Sequence, residues 1–518
     1  MSWFAAPVPL LPDLIALHGR WRGARWALIE GGRRLTWREF EQATARVANG
    51  LYALGLHSGD RVAVLMDNGL EMAVLLFGIM RSGCVAVPLN VSINDAAVRT
   101  MCEDSQARAV FAAETHCARI DALRGESAAL FGAARVAVGA PRPGWTPFTA
   151  WLDAQCEVLT MAVGADQECN IIYSSGTTGV PKGILHTHRC RTNWAADLAL
   201  ALRYRSDCVT LCSLGLFSNI SWVAMLCTVL VGGTIVVMRS FDAIGAIGLI
   251  ARERITHGTF VPVQIERLLA VPHIERHDVA SLDTLMCCGS PLAEAVKRAF
   301  PERFGCRLIE LYGLTEGVCT ILAPEDFERK TASVGKPFLG TDLRIIGDDD
   351  RELPAGHTGE VVGLSPLLMA GYLNRDEASS DATWTDDRGR RWLRTGDLGR
   401  LDQEGFLYIV DRKKDMILSG GQNIYPADIE AVLLRHPEIA EAAVVGVRSR
   451  KWGETPVAVI VPVSQAWPEP RALVDWTNAR VGKQQRISDV LCRASLPRNA
   501  NGKILKRELR QELADLVY

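Results

Sequence analysis

The sequence predicts an α/β protein: a large N-terminal domain of parallel-rich sheets flanked by helices plus a small β-rich part, followed by a small mobile α+β C-terminal domain. Three observations predict it. Apolar runs of strand length alternate with longer helical patterns through most of the chain, as parallel strands joined by helical crossovers require. Near residues 340–410 this alternation gives way to short strands and turns. From about residue 412 a smaller set of strands and helices follows, so the expected domains are 1–411 and 412–518. A chain of 518 residues exceeds one ordinary domain and has ample core volume.

The elements follow in order. Thr36 and Glu39 form a capping box, with Leu35 and Phe40 placed as its hydrophobic staple. Phe40, Val47, Leu51 and Leu54 recur at helical spacing. Ser58-Gly59-Asp60 turns the chain into a strand over 62–66, and an apolar helix through about Ile79 leads by Gly83 to the strand Val85-Ala-Val87, closed by Pro88. Strand, helix, strand of this length implies a right-handed parallel crossover. Similar alternation returns at 205–240 and 255–312. Short strands are expected at 343–346, 359–362 and 406–410. The C-terminal part has a helix after Pro426, strands at 442–447 and 457–461, and an amphipathic helix from about Ile504.

Composition excludes several classes. A hydrophobic fraction of 48%, a charged fraction of 22% and a net charge of −2 belong to a globular protein with no electrostatic footprint for nucleic acid or an anionic membrane. The 14 cysteines include no C-x-x-C pair, so neither Cys208 with Cys212 nor Cys287 with Cys288 reads as a zinc site. The first 17 residues lack a basic region and contain Pro7, Pro9, Pro12 and Asp13, a poor signal peptide. Reduced thiols and a cytoplasmic location fit best. Residues 208–238 carry no charge, but Ser213, Ser218, Asn219, Ser221 and Gly232-Gly233 favour a buried helix, a glycine turn and a buried strand over an integral membrane span.

The chemistry concentrates in six motifs. Tyr173-Ser-Ser-Gly-Thr-Thr-Gly-Val-Pro-Lys-Gly183 follows the apolar Ile171-Ile172. Its glycines let backbone N–H groups converge on an anion, its hydroxyls add donors, and Lys182 adds a charge, which suits a polyphosphate. It is not a P-loop, because no Gly-Lys-Ser/Thr opens a following helix. Leu311-Tyr-Gly-Leu-Thr-Glu316 places a hydroxyl and a carboxylate at a strand end, where α/β sheets bind ligands. Trp392-Leu-Arg-Thr-Gly-Asp397 offers a carboxylate suited to paired ribose hydroxyls, and Asp411-Arg-Lys-Lys-Asp415 offers cations. Gly420-Gly-Gln-Asn-Ile-Tyr-Pro426 is a glycine turn before a helix, and Leu496-Pro-Arg-Asn-Ala-Asn-Gly-Lys503 sets a lysine on a tight turn.

In this order, and together with Gly289-Ser-Pro-Leu292, Val334-Gly335 and Trp452-Gly-Glu454, these motifs identify a resemblance over essentially the whole chain. It resembles the adenylate-forming superfamily of acyl- and aryl-CoA synthetases, luciferases and peptide-synthetase adenylation domains. The resemblance implies that Ser174, Ser175, Gly176, Thr177, Thr178, Gly179 and Lys182 hold the β- and γ-phosphates of ATP. It implies that Gly289, Ser290 and Pro291 line the adenine, that Tyr312, followed by Gly313, stacks on it, and that Thr315 contacts the α-phosphate. Glu316 would hold Mg²⁺, Asp397 would bind the ribose hydroxyls with help from Arg412, and Lys503 would reach the substrate carboxylate and the α-phosphate. Lys414 falls at the family's hinge, and Gly420 and Gly421 at its tunnel for the pantetheine arm of coenzyme A.

Some positions depart from the family. Gly215-Leu-Phe-Ser218 stands where many CoA-forming members carry a proline and a histidine, so Ser218 bears on the tunnel gate and the acid pocket. Cys288 stands where a glycine is common, and Gln485 replaces a common proline. The acyl pocket is expected to draw on Trp194, Phe217, Ser218, Asn219, Trp222, Cys287, Leu314 and Val318, which suits a hydrophobic aromatic, alicyclic or medium-chain monocarboxylate. The expected reaction is ATP-dependent ligation of this acid to CoA. The alternative is a stand-alone adenylation enzyme loading the phosphopantetheine arm of a carrier protein supplied in trans. A luciferase-like oxygenase shares the motifs, whereas a non-catalytic nucleotide sensor is disfavoured by intact Lys182, Glu316, Asp397 and Lys503. No nucleic-acid partner is expected, and a homodimer is left open.

Overall fold

The computed structural model describes residues 8–156, 163–174, 181–420, 422–464, 469–499 and 502–518. Cα packing divides the chain into two compact units. One holds Met1–Thr331, Pro337–Asp342 and Leu364–Thr383; the other holds Ala332–Lys336, Leu343–Gly363 and Trp384–Tyr518. Packing thus groups the β-rich segment from residue 384 with the C-terminal part, while the expected boundary at 412 concerns a hinge.

The first unit contains two sheets with parallel centres, the first antiparallel at both of the edges described here and the second antiparallel at one. In one, the strands run Cys319–Leu322, Arg307–Gly313, Thr284–Cys288, His257–Phe260, Val209–Cys212, Thr234–Val237, Trp26–Glu30 and Arg33–Thr36, and the six inner strands are parallel. In the other they run Gly371–Tyr372, Lys182–Thr187, Glu168–Ser174, Val85–Pro88, Arg61–Leu65, Ala109–Ala113, Ala134–Val138 and Thr146–Pro147. Helices Leu11–Trp21, Trp37–Ala53, Leu70–Arg81, His188–Ala201 and Asn219–Val231 share one buried cluster with side chains from both sheets. Their core includes the wholly buried Phe40, Phe77 and Trp222.

Local sequence explains much of this. Thr36 Oγ1 accepts the Glu39 N–H at 3.3 Å and the Glu39 carboxylate accepts the Thr36 N–H at 2.8 Å, so the capping box starts helix Trp37–Ala53 as expected. The uncharged stretch 208–238 is strand, helix and strand, with Gly232 at φ +71° ending the helix in the left-handed conformation that glycine tolerates best. Among the described residues no helix is long and apolar enough to cross a membrane. Of the fourteen cysteines all but Cys156 are buried thiols.

The second unit holds a small sheet, with strands Asp342–Ile346, Gly359–Leu364, Arg391–Leu401, Thr383–Thr385 and Leu407–Arg412, and a C-terminal sheet. The latter pairs the long strands Ile439–Ser449 and Gly453–Pro462 as an antiparallel ribbon, with Asp489–Cys492 parallel beside the second. Helices Pro426–Leu433 and Pro470–Asn478 bury Ile429, Leu433 and Leu473 in one cluster with this sheet, and helix Lys506–Glu512 buries Leu509 in a second.

Candidate active site

In the first unit the motif Tyr173–Gly183 begins and ends on two paired strands. Strands Glu168–Ser174 and Lys182–Thr187 are antiparallel, with Ser174 opposite Lys182. Ser175, Gly176, Thr177, Thr178 and Gly179 lie outside the described residues. Strand Gly371–Tyr372 adds to this pair with Tyr372 opposite Ile184. This pairing brings the Lys182 ammonium to 4.9 Å from the Tyr372 ring centre, while the Tyr372 hydroxyl donates to Glu316 Oε1 at 2.9 Å. Burial and the Glu316 charge hold the Tyr372 phenol well above its usual range, so it remains a donor. Lysine and glutamate from distant motifs thus meet on one tyrosine that motif reading did not single out. Its sequence signal is faint, a Gly-Tyr pair after Met369-Ala, because only strand pairing gives it a role.

The turn carrying Thr315 and Glu316 is tightly held. Leu314 N–H donates to Val318 O at 3.0 Å, Gly317 N–H to Leu314 O at 3.1 Å, and Met369 N–H to Glu316 O at 2.8 Å. Gly317 sits at φ +116°, and a Cβ there would lie 2.1 Å from Leu367 O. A side chain would therefore displace the turn. His186 Nε2 lies 2.8 Å from Thr315 O, and burial keeps this imidazole neutral. A carbonyl only accepts, so Nε2 carries the proton.

Gly289, Ser290 and Pro291 leave the carboxyl end of strand Thr284–Cys288, next to strand Arg307–Gly313, on which Cys288 faces Leu311 and which carries Tyr312 and Gly313. They therefore occupy the sheet edge where parallel α/β folds bind ligands. Gly289 has φ +102°. Behind it, the buried ion pair of Lys297 with Glu310 stands at 2.5 Å, and Glu310 Oε1 accepts the Leu292 N–H at 3.3 Å, anchoring the loop.

Of the expected acyl-pocket residues, Trp194, Trp222 and Val318 are buried, Ser218 is nearly so, and Phe217, Asn219 and Leu314 are partly open. Trp194 Nε1 donates to Leu367 O at 2.9 Å. Ser218 caps helix Asn219–Val231, accepting the Ile220 N–H at 3.4 Å. Strand alternation separates Cys287 from the tryptophans: Cys288 shares their cluster and Cys287 does not, and burial pushes the Cys287 thiol well up.

The second unit gathers the remaining motifs. Asp397 and Arg412 face each other across strands Arg391–Leu401 and Leu407–Arg412, with Arg412 Nε 3.0 Å from Asp397 Oδ1. Thr395 Oγ1 accepts the Asp397 N–H at 3.1 Å, and Gly396, at φ +68°, accepts the Lys413 N–H at 2.9 Å. Lys503 lies on a turn closed by Asn499, whose Oδ1 accepts the Lys503 N–H at 2.9 Å and whose N–H donates to Lys503 O at 3.0 Å. Gly502 at φ +78° permits that turn. Burial, then the positive charge of Arg412 and, more weakly, of Lys414, brings the Lys503 ammonium down to about 8 against the opposing pull of Asp397 and Asp415. The same burial and Arg412 lower Lys414. Asp415 is paired with Arg510, and Asp411 Oδ2 accepts the Ala427 N–H at 3.0 Å, fixing the chain beside Lys414. Gly420, at φ +57°, donates to Trp452 O at 2.8 Å, and Gly421 lies outside the described residues. No cluster of three or more histidine, cysteine or acidic side chains is arranged as a metal site among the described residues.

The model of the AMP-binding enzyme family matches residues 18–373, and that of the AMP-binding enzyme C-terminal domain matches 428–503. The chain is 35% identical over 500 residues to the long-chain-fatty-acid–CoA ligase FadD13 of Mycobacterium tuberculosis, covering 93% of this chain and 94% of that protein. It is 33% identical over 490 residues to a feruloyl-CoA synthase of Amycolatopsis, covering 94% and 95%. The crystal structure of ATP-bound MatB from Rhodopseudomonas palustris superposes with a TM-score of 0.87 at 27% identity, over 97% and 99% of the two chains. The chain accordingly belongs to the AMP-binding, adenylate-forming enzyme family, in its branch of AMP-forming acyl- and aryl-CoA ligases.

Proposed function

We propose that the enzyme joins a hydrophobic aromatic, alicyclic or medium-chain monocarboxylate to CoA in two steps. A carboxylate oxygen attacks the α-phosphorus of ATP, the bond to the bridging oxygen breaks, and pyrophosphate leaves with the acyl-adenylate formed. The CoA thiol then loses its proton to solvent, its sulfur attacks the acyl carbonyl, and AMP departs. The observation that carries the reading is the meeting of Lys182 and Glu316 on Tyr372.

The first step joins two anions, so its barrier is repulsion and alignment. In this reading Lys182 and the amides of the Ser/Gly/Thr motif hold the β- and γ-phosphates, and Gly289, Ser290, Pro291 and Tyr312 hold the base. Thr315 contacts the α-phosphate, and Asp397, oriented by Arg412, takes the ribose hydroxyls. Lys503 places its charge between the carboxylate and the α-phosphate, a contribution typically of about 3–4 kcal/mol. Holding both reactants together adds up to about 7–11 kcal/mol. An ionised acid is already a nucleophile, so no general base is needed. The Glu316 carboxylate fits Mg²⁺, which takes one or two carboxylates together with substrate phosphates. When bound there, Mg²⁺ would neutralise phosphate charge.

For the second step, residues from 412 onward turn about Lys414, withdrawing Lys503 and presenting the Gly420-Gly421 turn to pantetheine. A glycine turn suits a narrow ligand. Relatives named for long-chain fatty acids, ferulate and indoleacetate support an apolar acid. Buried, unpaired thiols support a reducing cytoplasm. The test is a panel of acids assayed for pyrophosphate release with and without CoA. AMP and an acyl-CoA are the expected products. ADP as the spent nucleotide would overturn the reading, and adenylate without any thioester would transfer the acyl group to a carrier protein's arm instead.

A further inference from the structure

Arg191, on helix His188–Ala201, is wholly buried and has no acidic partner among the described residues. Its Nε donates to Asn170 Oδ1 at 2.9 Å and its Nη1 to Asn219 Oδ1 at 2.8 Å, while Nη2 makes no hydrogen bond. The guanidinium carbon stands 5.6 Å from the Trp194 ring centre and 5.2 Å from that of Trp222. Its ionisable neighbours are two thiols, Cys190 and Cys169, which burial pushes up and keeps protonated, so neither supplies a negative charge. Asn170 Nδ2 and Trp222 Nε1 are also buried without partners among the described residues, so donors outnumber acceptors there around this cation. An uncompensated buried cation is costly, and the two indole faces and two amide oxygens offset only part of that cost.

The consequence falls on Asn219. A guanidinium only donates, so Asn219 turns its carbonyl to Arg191 and its NH2 group away. Asn219 is partly open and begins helix Asn219–Val231, at the carboxyl edge of the parallel sheet. Its neighbour Ile220 borders the nucleotide loop, since a Cβ on Gly289 would lie 3.3 Å from Ile220 Cδ1.

We propose that Asn219, locked by Arg191, donates to an oxygen at the far end of the acid, so that the enzyme selects a largely apolar carboxylic acid carrying one distal acceptor oxygen over its all-hydrocarbon twin. This rests on the acid–CoA ligase reading above and narrows its substrate class. Asn219 determines specificity, and Arg191 is a positioning residue acting through it.

The test compares 3-phenylpropanoate with its 4-hydroxy, 4-acetyl and 4-carboxy derivatives by pyrophosphate release. These arms distinguish hydroxyl, carbonyl and carboxylate oxygens. At least one oxygen-bearing acid should exceed the hydrocarbon acid at least tenfold in kcat/KM. In Asn219→Leu that ratio should fall to within about twofold, chiefly through KM, and in Arg191→Met it should fall likewise. Asn219→Leu, at a partly open position, keeps the test valid if Arg191→Met does not fold. Turnover of all four acids at equal kcat/KM would overturn this inference and leave the ligase reading standing. Absence of pyrophosphate release with every acid would overturn that reading and this inference with it. A preference that survives Asn219→Leu would remove Asn219 from the role.

Discussion

Lys503 should tie adenylation to pH. Burial and the Arg412 charge bring its ammonium down to about 8, and only the protonated form can neutralise charge between two anions. At pH 7 about nine-tenths of the enzyme would carry the charge and at pH 9 about one-tenth, because each unit from the midpoint changes the ratio tenfold. The adenylation kcat/KM, which reports the free enzyme, should therefore be level below about pH 8 and fall about tenfold per unit above it. In Lys503→Arg the limb should disappear from this range at a lower overall rate, since a guanidinium does not lose its proton there. In Lys503→Ala, loss of the charge should lower adenylation by about 10²–10³, or about 2.7–4 kcal/mol. Thioester formation from supplied acyl-adenylate should stay within a few fold. Stopped-flow pyrophosphate release and quenched thioester formation would measure the two halves separately. Equal losses in both, or a limb near pH 8 that persists in Lys503→Arg, would refute the assignment.

Three further outcomes are expected. Tyr372→Phe removes the 2.9 Å hydrogen bond to Glu316 but keeps the ring over Lys182. A bond to a charged group is worth about 1.5–3 kcal/mol, so kcat/KM for ATP should fall about tenfold or more in initial-rate assays, and further in Tyr372→Leu. Gly317→Ala forces a Cβ to 2.1 Å from Leu367 O at φ +116°, so pyrophosphate release should fall at least tenfold, with a lower melting temperature. Lys297→Met leaves the buried Glu310 without its cation and should cost about 3–5 kcal/mol in urea unfolding of the full chain. Replacing both, Lys297→Met with Glu310→Leu, should recover most of that loss.

The sequence was most legible where local rules act alone. The Thr36–Glu39 capping box, the helix, glycine and strand of 208–238, and the helix after Pro426 follow from residues a few positions apart, and all form as expected. The motif order was enough to name the family, because each motif is a short segment with its own chemistry. Sequence alone also supplied the antiparallel neighbours Asp397 and Arg412 as candidates, although not their 3.0 Å pairing.

What remained hidden depends on residues far apart in the chain. Tyr372 meets Lys182 and Glu316 only because its two-residue strand pairs with Lys182–Thr187, and nothing in its local sequence foretells that pairing. Cys287 and Cys288 are interchangeable as letters, but strand alternation sends them to opposite faces. Arg191 reads as one more charge on a helix, yet tertiary packing buries it between two tryptophans and sets it on Asn219. Composition and short-range spacing therefore determined which chemistry this protein carries. Packing decided which of those groups meet, because burial and pairing set the charge and direction of each side chain.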